Sequence, residues 1–286
     1  MITPFPPVIA TDVLHAALDD PDLVVLDGSW YLGSMGRSAY DEYLAGHVPG
    51  ALFFDLEAEC DPASPTPHMM PSADRLAARM SARGIGTDQR IVVYDASGTM
   101  FSAARVRWML RVAGHPRVAV LDGGLQGWQE AGGELTRTVT ARSPSRFVAK
   151  PVPGLIRTWR DVRDALADGR TQVVDARSPD RFAGAAPEPR PGVRSGHIPG
   201  SRSLHYARLV DSGTGHLLPR RVLERLVTDA GLDPARPVIA SCGSGVTACA
   251  VALAVELLGG GDVPVYDGSW AEWGSRGDLP VGTAPP

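Results

Sequence analysis

The chain repeats itself in order, and no other feature of the sequence limits its possible folds as strongly. "VIATDVLHAALDDPDLVVLD" ends at Asp27 and "LIRTWRDVRDALADGRTQVVD" ends at Asp175. "AGHVPGALFFD" around His47 is answered by "SGHIPGSRSLHY" around His197. "RIVVYDASGTMFSAARVRWMLRVAG" is answered by "PVIASCGSGVTACAVALAVELLG", and the Leu121–Trp128 stretch by Val265–Trp273. Asp27 and Asp175 are 148 residues apart, and Asp95 and Cys242 are 147 apart. Ordered matches at a near-constant offset read as a duplicated domain. "TVTARSPSRFVAKPVPG", residues 138–154, has no counterpart and is rich in Pro, Ser and basic residues, so it reads as a linker. The expected division is a first domain over 1–137, the linker over 138–154 and a second domain over 155–286.

Within each repeat, short β-branched runs alternate with helical patterns. "DLVVLD", "RIVVYD" and "RVAVLD" in the first half match "TQVVDA", "PVIASC" and "VPVYDG" in the second. Helical patterns fall over 73–83, 102–113, 221–230 and 245–258. This alternation predicts an α/β fold, two tandem domains each with a mostly parallel sheet and helices on both faces. Ligands of such sheets bind beyond the carboxyl ends of the strands, so each strand–Asp or strand–Cys junction is a candidate site.

Cys242 stands at one of these junctions, between the apolar run 237–241 and the helical pattern that starts at Gly245. Gly243, Ser244 and Gly245 are small, and such a turn lets successive backbone N–H groups converge. The next helix adds its own unpaired N–H groups and the positive end of its dipole. A thiol there is expected to ionise more readily, and the same cradle suits an anion or a persulfide. The alternative is a small buried cysteine at a tight turn. Cys249, seven residues on within the helix, reads as packing. Cys60, in a Pro-rich loop, reads as open to solvent with nothing near to activate it. The first repeat serves as an internal control, because Asp95 holds the place of Cys242 and cannot carry transferable sulfur. The first half therefore reads as non-catalytic. His47 and His197 occur in both halves, including the one without a thiol, and read as structural.

Composition narrows the partners. The formal charge of −4 gives no electrostatic case for nucleic acid or an anionic membrane. No apolar run is long enough to span a bilayer. The opening MITPFPPVIA lacks the pattern of a signal peptide. Three cysteines at these spacings match neither a disulfide framework nor a common zinc site, so a reducing cytoplasm is expected.

With "CGSGVTA", "GHVPGA", "GHIPGS", "LDGG" and "YDGSWAEW" in this order across nearly the whole chain, the sequence resembles the two-domain rhodanese superfamily. It is most similar there to the 3-mercaptopyruvate sulfurtransferases. Thiosulfate-using members carry a more basic loop of Cys-Arg-Lys-Gly-Val-Thr type. The resemblance implies that Cys242 is the nucleophile, with Gly243, Gly245, Val246 and Thr247 forming the binding loop. It implies that Arg181 in "DARSPDRF" and Arg190 in "APEPR" hold the carboxylate and carbonyl of the donor. It also implies a proton relay of Ser244 with His68 from "SPTPHMMP", closed by an acid; Glu57 stands at that place where an Asp is typical. Considered alone, His68 is an ordinary loop imidazole.

The implied reaction moves sulfur from 3-mercaptopyruvate, through a Cys242 persulfide, to an acceptor thiol such as thioredoxin or to cyanide. It needs no metal or organic cofactor. Three other readings remain. A thiosulfate sulfurtransferase needs the same fold and cysteine. A Cys-x5-Arg phosphatase would have Arg where this chain has Ala248. A non-catalytic sulfur-sensing or binding module would have lost turnover in both halves.

Overall fold

The computed structural model describes residues 5–233 and 235–283; the first four residues of the stretch read for a leader lie outside it. It contains two five-stranded, all-parallel sheets of the same order. In the first, strands β1 (Val8–Ile9), β2 (Leu23–Asp27), β3 (Leu52–Phe53), β4 (Arg90–Tyr94) and β5 (Val118–Leu121) run β1-β5-β4-β2-β3. In the second, β6 (Ile156–Arg157), β7 (Gln172–Asp175), β8 (Arg202–Ser203), β9 (Val238–Ser241) and β10 (Val265–Tyr266) run β6-β10-β9-β7-β8. All five residues of β2 and all four of β9 are buried. A strand buried at every position has both faces covered, which is why these strands read as unbroken apolar runs instead of alternating ones. The α/β expectation thus holds in both halves.

The repeats share packing detail. Trp128 and Trp273 are each 1% exposed, and each indole N–H donates to a carbonyl, of Glu134 at 2.9 Å and of Pro280 at 2.8 Å. The paired histidines are structural. His47 stacks on Tyr43 and bonds its carbonyl at 2.7 Å, while His197 stacks on Phe182 and bonds its carbonyl at 2.8 Å.

The chain forms two compact units, and neither is one continuous stretch. Unit 1 contains residues 1–62, 70–152 and 210–217; unit 2 contains 63–69, 153–209 and 218–286. The two displaced segments, 63–69 and 210–217, begin 147 residues apart, so they are the same piece of each repeat. Residues 140–152 run along unit 1, where the Lys150 and Val152 N–H groups donate to the Ala113 and Val112 carbonyls at 2.8 and 2.9 Å.

Two local expectations change. Cys60 is buried, 6% exposed, because it closes the short Leu56–Glu59 turn and its side chain joins the apolar interior. The helix after Cys242 starts at Ala248, not at Gly245, whose φ of +77° lies in the left-handed region and extends the loop by three residues.

His115, 1% exposed in unit 1, provides a pH test of this fold. Burial, with Arg117 and Arg111 nearby, lowers its imidazole from 6.5 to about 4, and its Nδ1 accepts the Arg117 N–H at 3.3 Å. The unfolded chain takes up this proton below 6.5 and the folded chain only near 4, so stability falls as pH drops through that window. In urea titrations, His115→Gln should reduce the stability lost between about pH 7 and pH 4.5 by about 2–3 kcal/mol.

Candidate active site

The strand register brings the charged strand ends together. Asp175 pairs across the sheet with Ser241, so Cys242 leaves β9 beside the carboxyl end of β7. The loop that follows is held by the next helix, Ser269–Trp273. The N–H groups of Trp270 and Ala271 donate to the carbonyls of Cys242 and Gly243 at 2.9 and 2.8 Å. The Ser269 hydroxyl accepts the Cys242 N–H at 3.1 Å and donates to the Tyr266 carbonyl at 2.7 Å. The Val246 and Thr247 carbonyls are taken from the other side, by the N–H groups of Cys249 and Ala250 at 3.1 and 3.2 Å. Among the described residues, the N–H groups of Gly243, Ser244, Val246 and Thr247 meet no acceptor. Unsatisfied, converging donors at the head of a helix form an anion cradle. Cys242 stands at its mouth, 1% exposed.

The first repeat has the same loop with its anion built in. The Leu125 N–H donates to the Asp95 carbonyl at 3.0 Å, as Trp270 does to Cys242. The Asp95 carboxylate accepts five hydrogen bonds: from the N–H and hydroxyl of Ser97, the N–H and hydroxyl of Ser102, and the N–H of Ala103, at 2.6 to 3.1 Å. In the second repeat the counterparts of Ser102 and Ala103, Cys249 and Ala250, donate instead to the Val246 and Thr247 carbonyls at 3.1 and 3.2 Å, and of the backbone donors that Asp95 engages only that of Ser97 has an open counterpart, at Ser244.

In unit 2, the Ser244 hydroxyl and the Nδ1 of His68 are 2.8 Å apart, and both side chains are buried. His68 holds a φ of +60°, unusual for a residue with a Cβ. Glu57 belongs to unit 1, where it accepts the Trp30 indole N–H at 2.7 Å. The Arg181 guanidinium lies over the loop: a Cβ added to Gly243 would be 3.0 Å from its Nη2. Arg190, partly buried, lies two residues beyond Glu188 in the same stretch. Burial, with Arg208 and Arg181 nearby, holds the His205 imidazole below its ordinary value. The 580 Å³ cleft of unit 2 lies at the opposite end, lined by Arg157, Asp161, Asp168, Arg236 and Val238, and contains none of these residues.

Sequence reasoning passed over three groups. Ser269 lies within "YDGSWAEW", but nothing in that motif marks its hydroxyl as the partner of the Cys242 N–H. His216, 148 residues after His68, is that residue's counterpart and pairs with Asp122 in unit 1 at 3.1 Å; the repeat itself held that signal. Glu188 and Arg177 form a buried ionic chain to Arg181 through contacts 7 and 11 residues apart, which no periodicity reveals.

Comparison with known proteins supports one chemistry. The family model described as "Rhodanese-like domain" matches residues 10–131 and 158–276. "Thiosulfate/3-mercaptopyruvate sulfurtransferase 1, mitochondrial" of Arabidopsis thaliana is 43% identical over 296 residues, covering 96% of this chain and 78% of the relative. The 3-mercaptopyruvate sulfurtransferase of Escherichia coli is 40% identical over 274 residues, 96% of each chain. The crystal structure of SseA from Escherichia coli, described as a 3-mercaptopyruvate sulfotransferase, superposes with a TM-score of 0.84 at 37% identity, covering 92% of this chain and 98% of the other.

Ser269→Ala removes the acceptor for the Cys242 N–H and the donor to Tyr266. Urea unfolding should show a loss of about 1–3 kcal/mol, and sulfur loading of Cys242 should slow with it.

Proposed function

The chain belongs to the rhodanese family, and on that basis we propose that it is a sulfurtransferase that takes sulfur from 3-mercaptopyruvate onto Cys242 and passes it to a thiol or to cyanide. The observation that carries this reading is the run of N–H groups without acceptors that follows Cys242, set against the first repeat, where Asp95 stands in place of the thiol and binds donors of its own loop.

Arg181 and Arg190 hold the donor by its carboxylate and carbonyl, a task for which the planar, bidentate guanidinium is suited. The Cys242 thiolate attacks the donor sulfur. The new S–S bond forms as the C–S bond breaks, and the bonding pair leaves with carbon as pyruvate enolate. Ser244, hydrogen-bonded to His68, delivers a proton to that carbon, and pyruvate departs. The N–H groups of Gly243, Ser244, Val246 and Thr247 then face the persulfide, with Gly245 setting the turn. In the second half-reaction the outer sulfur passes to cyanide, leaving thiocyanate, or to an acceptor thiol such as reduced thioredoxin. Two half-reactions through a covalent intermediate require ping-pong kinetics. Unit 2 carries the chemistry and unit 1 does not.

Thiosulfate is the second donor to consider, because the Arabidopsis relative's name joins both. Gly243 and Ser244 supply no cationic side chain for a thiosulfate dianion, which favours mercaptopyruvate. Among the described residues no helix is long and apolar enough to cross a membrane, and the three cysteines are unbridged. Unbridged thiols fit a reducing compartment, here the cytoplasm.

Intact mass spectrometry after incubation with each donor tests the reading. Mercaptopyruvate should add one sulfur atom to Cys242 with release of pyruvate, faster than thiosulfate does. Cys242→Ser should take up none. Faster loading from thiosulfate would transfer the protein to the other donor class, and no loading from either would end the sulfurtransferase reading. Ser244→Ala and His68→Asn should each lower kcat with mercaptopyruvate by about 100-fold, in the range for loss of a positioned proton donor.

A further inference from the structure

We propose that Glu188 is a positioning residue that fixes the Arg181 guanidinium over the Cys242 loop and thereby sets the preference for donors that carry a carboxylate. The inference rests on the reading that Arg181 takes the donor's carboxylate.

Glu188 is only 3% exposed at its side chain, yet it meets two arginines. Its Oε1 accepts from Arg177 Nη1 at 2.8 Å and from Arg181 Nε at 3.2 Å, and its Oε2 accepts from Arg181 Nη2 at 2.5 Å. The carboxylate therefore grips Arg181 along one edge of the guanidinium plane, the Nε–Nη2 edge. The adjacent edge, Nη1–Nη2, is left for a second carboxylate, and Nη1 meets no acceptor among the described residues. This is the arrangement in which one arginine holds two carboxylates in the same plane, one internal and one arriving. The guanidinium also lies against the backbone of Gly243, next to the nucleophile.

Glu188 is itself fixed from behind. Arg177, 1% exposed, binds both oxygens of Asp175 at 2.7 to 3.1 Å and the Gly196 carbonyl at 2.8 Å, and lies 4.6 Å from the centre of the Trp270 ring. Asp175, Arg177, Glu188 and Arg181 thus alternate in charge from the end of β7 to the loop, and the formal charges of these four side chains sum to zero before a donor binds. A donor carboxylate on Arg181 continues the alternation. Without Glu188, the long Arg181 side chain, 24% exposed, keeps its charge but loses the contact that chooses its rotamer. Long-range attraction for an anion would survive, while the docking geometry would not.

The test compares two donors that differ in one group: 3-mercaptopyruvate and mercaptoacetone, the same thiol ketone without the carboxylate. For Glu188→Gln, kcat/KM with mercaptopyruvate should fall about tenfold or more, chiefly through KM, while that with mercaptoacetone changes less than about threefold. Glu188→Asp, which keeps the charge on a shorter arm, should fall between the parent and Glu188→Gln. In an Arg181→Ala background the Glu188→Gln change should add little, because the two act as one unit. Equal losses with both donors, or full additivity with Arg181→Ala, would overturn the inference, as would loss of folding in both Glu188 variants with melting as the readout. If Arg181→Ala alone leaves the preference for mercaptopyruvate intact, it is the underlying reading of Arg181 that fails.

Discussion

Everything at the site depends on where a few backbone carbonyls point. A loop between a parallel strand and a helix has donors and acceptors in equal number, and it presents an anion hole only if the acceptors are occupied elsewhere. The helix Ser269–Trp273 does this with the Trp270 and Ala271 N–H groups, and Ser269 ties the Cys242 N–H to the end of β10. The sheet supplies the frame, since a parallel sheet buried on both faces leaves only strand ends available for polar work. Cys242, the alternating ion chain and the His68–Ser244 pair all gather at that one end of unit 2.

The duplicated half shows what the cradle demands. Asp95 satisfies five donors with its own carboxylate, so the first repeat needs no ligand and offers no nucleophile. After its thiol counterpart, Cys242, the N–H groups of Gly243, Ser244, Val246 and Thr247 meet no acceptor among the described residues. The matching loops thus differ in what meets their donors, a carboxylate helped by the Ser102 hydroxyl in one copy and, in the other, a thiol with Cys249 in the place of Ser102.

Much of this is legible in the sequence because the signals are local or repeated. Runs such as Val24–Leu26 and Ile91–Val93 announce buried parallel strands, and the Gly-Ser-Gly turn after Cys242 announces converging N–H groups. The two-residue strands β1, β3, β6 and β8 are not legible, since two residues have no period; the equally short β10 is legible only because its run repeats that of β5. The burial of Cys60 is hidden because a Pro-rich surrounding hides how a short turn faces inward. His68 and Ser244 are separated by 176 residues, and only resemblance to a family connects them on paper. Glu188 looks like one more loop carboxylate until the structure reveals two arginines on it.

The interchange of equivalent segments has a consequence for ancestry. Unit 2 contains residues 63–69, translated from the first half of the gene, and unit 1 contains 210–217, translated from the second. In a single-copy forebear with this loop arrangement, the loop serine would have met the histidine of another subunit's segment, as in domain-swapped dimers. Fusion makes that exchange permanent. Deleting the half without a thiol would therefore take the histidine beside Ser244 with it.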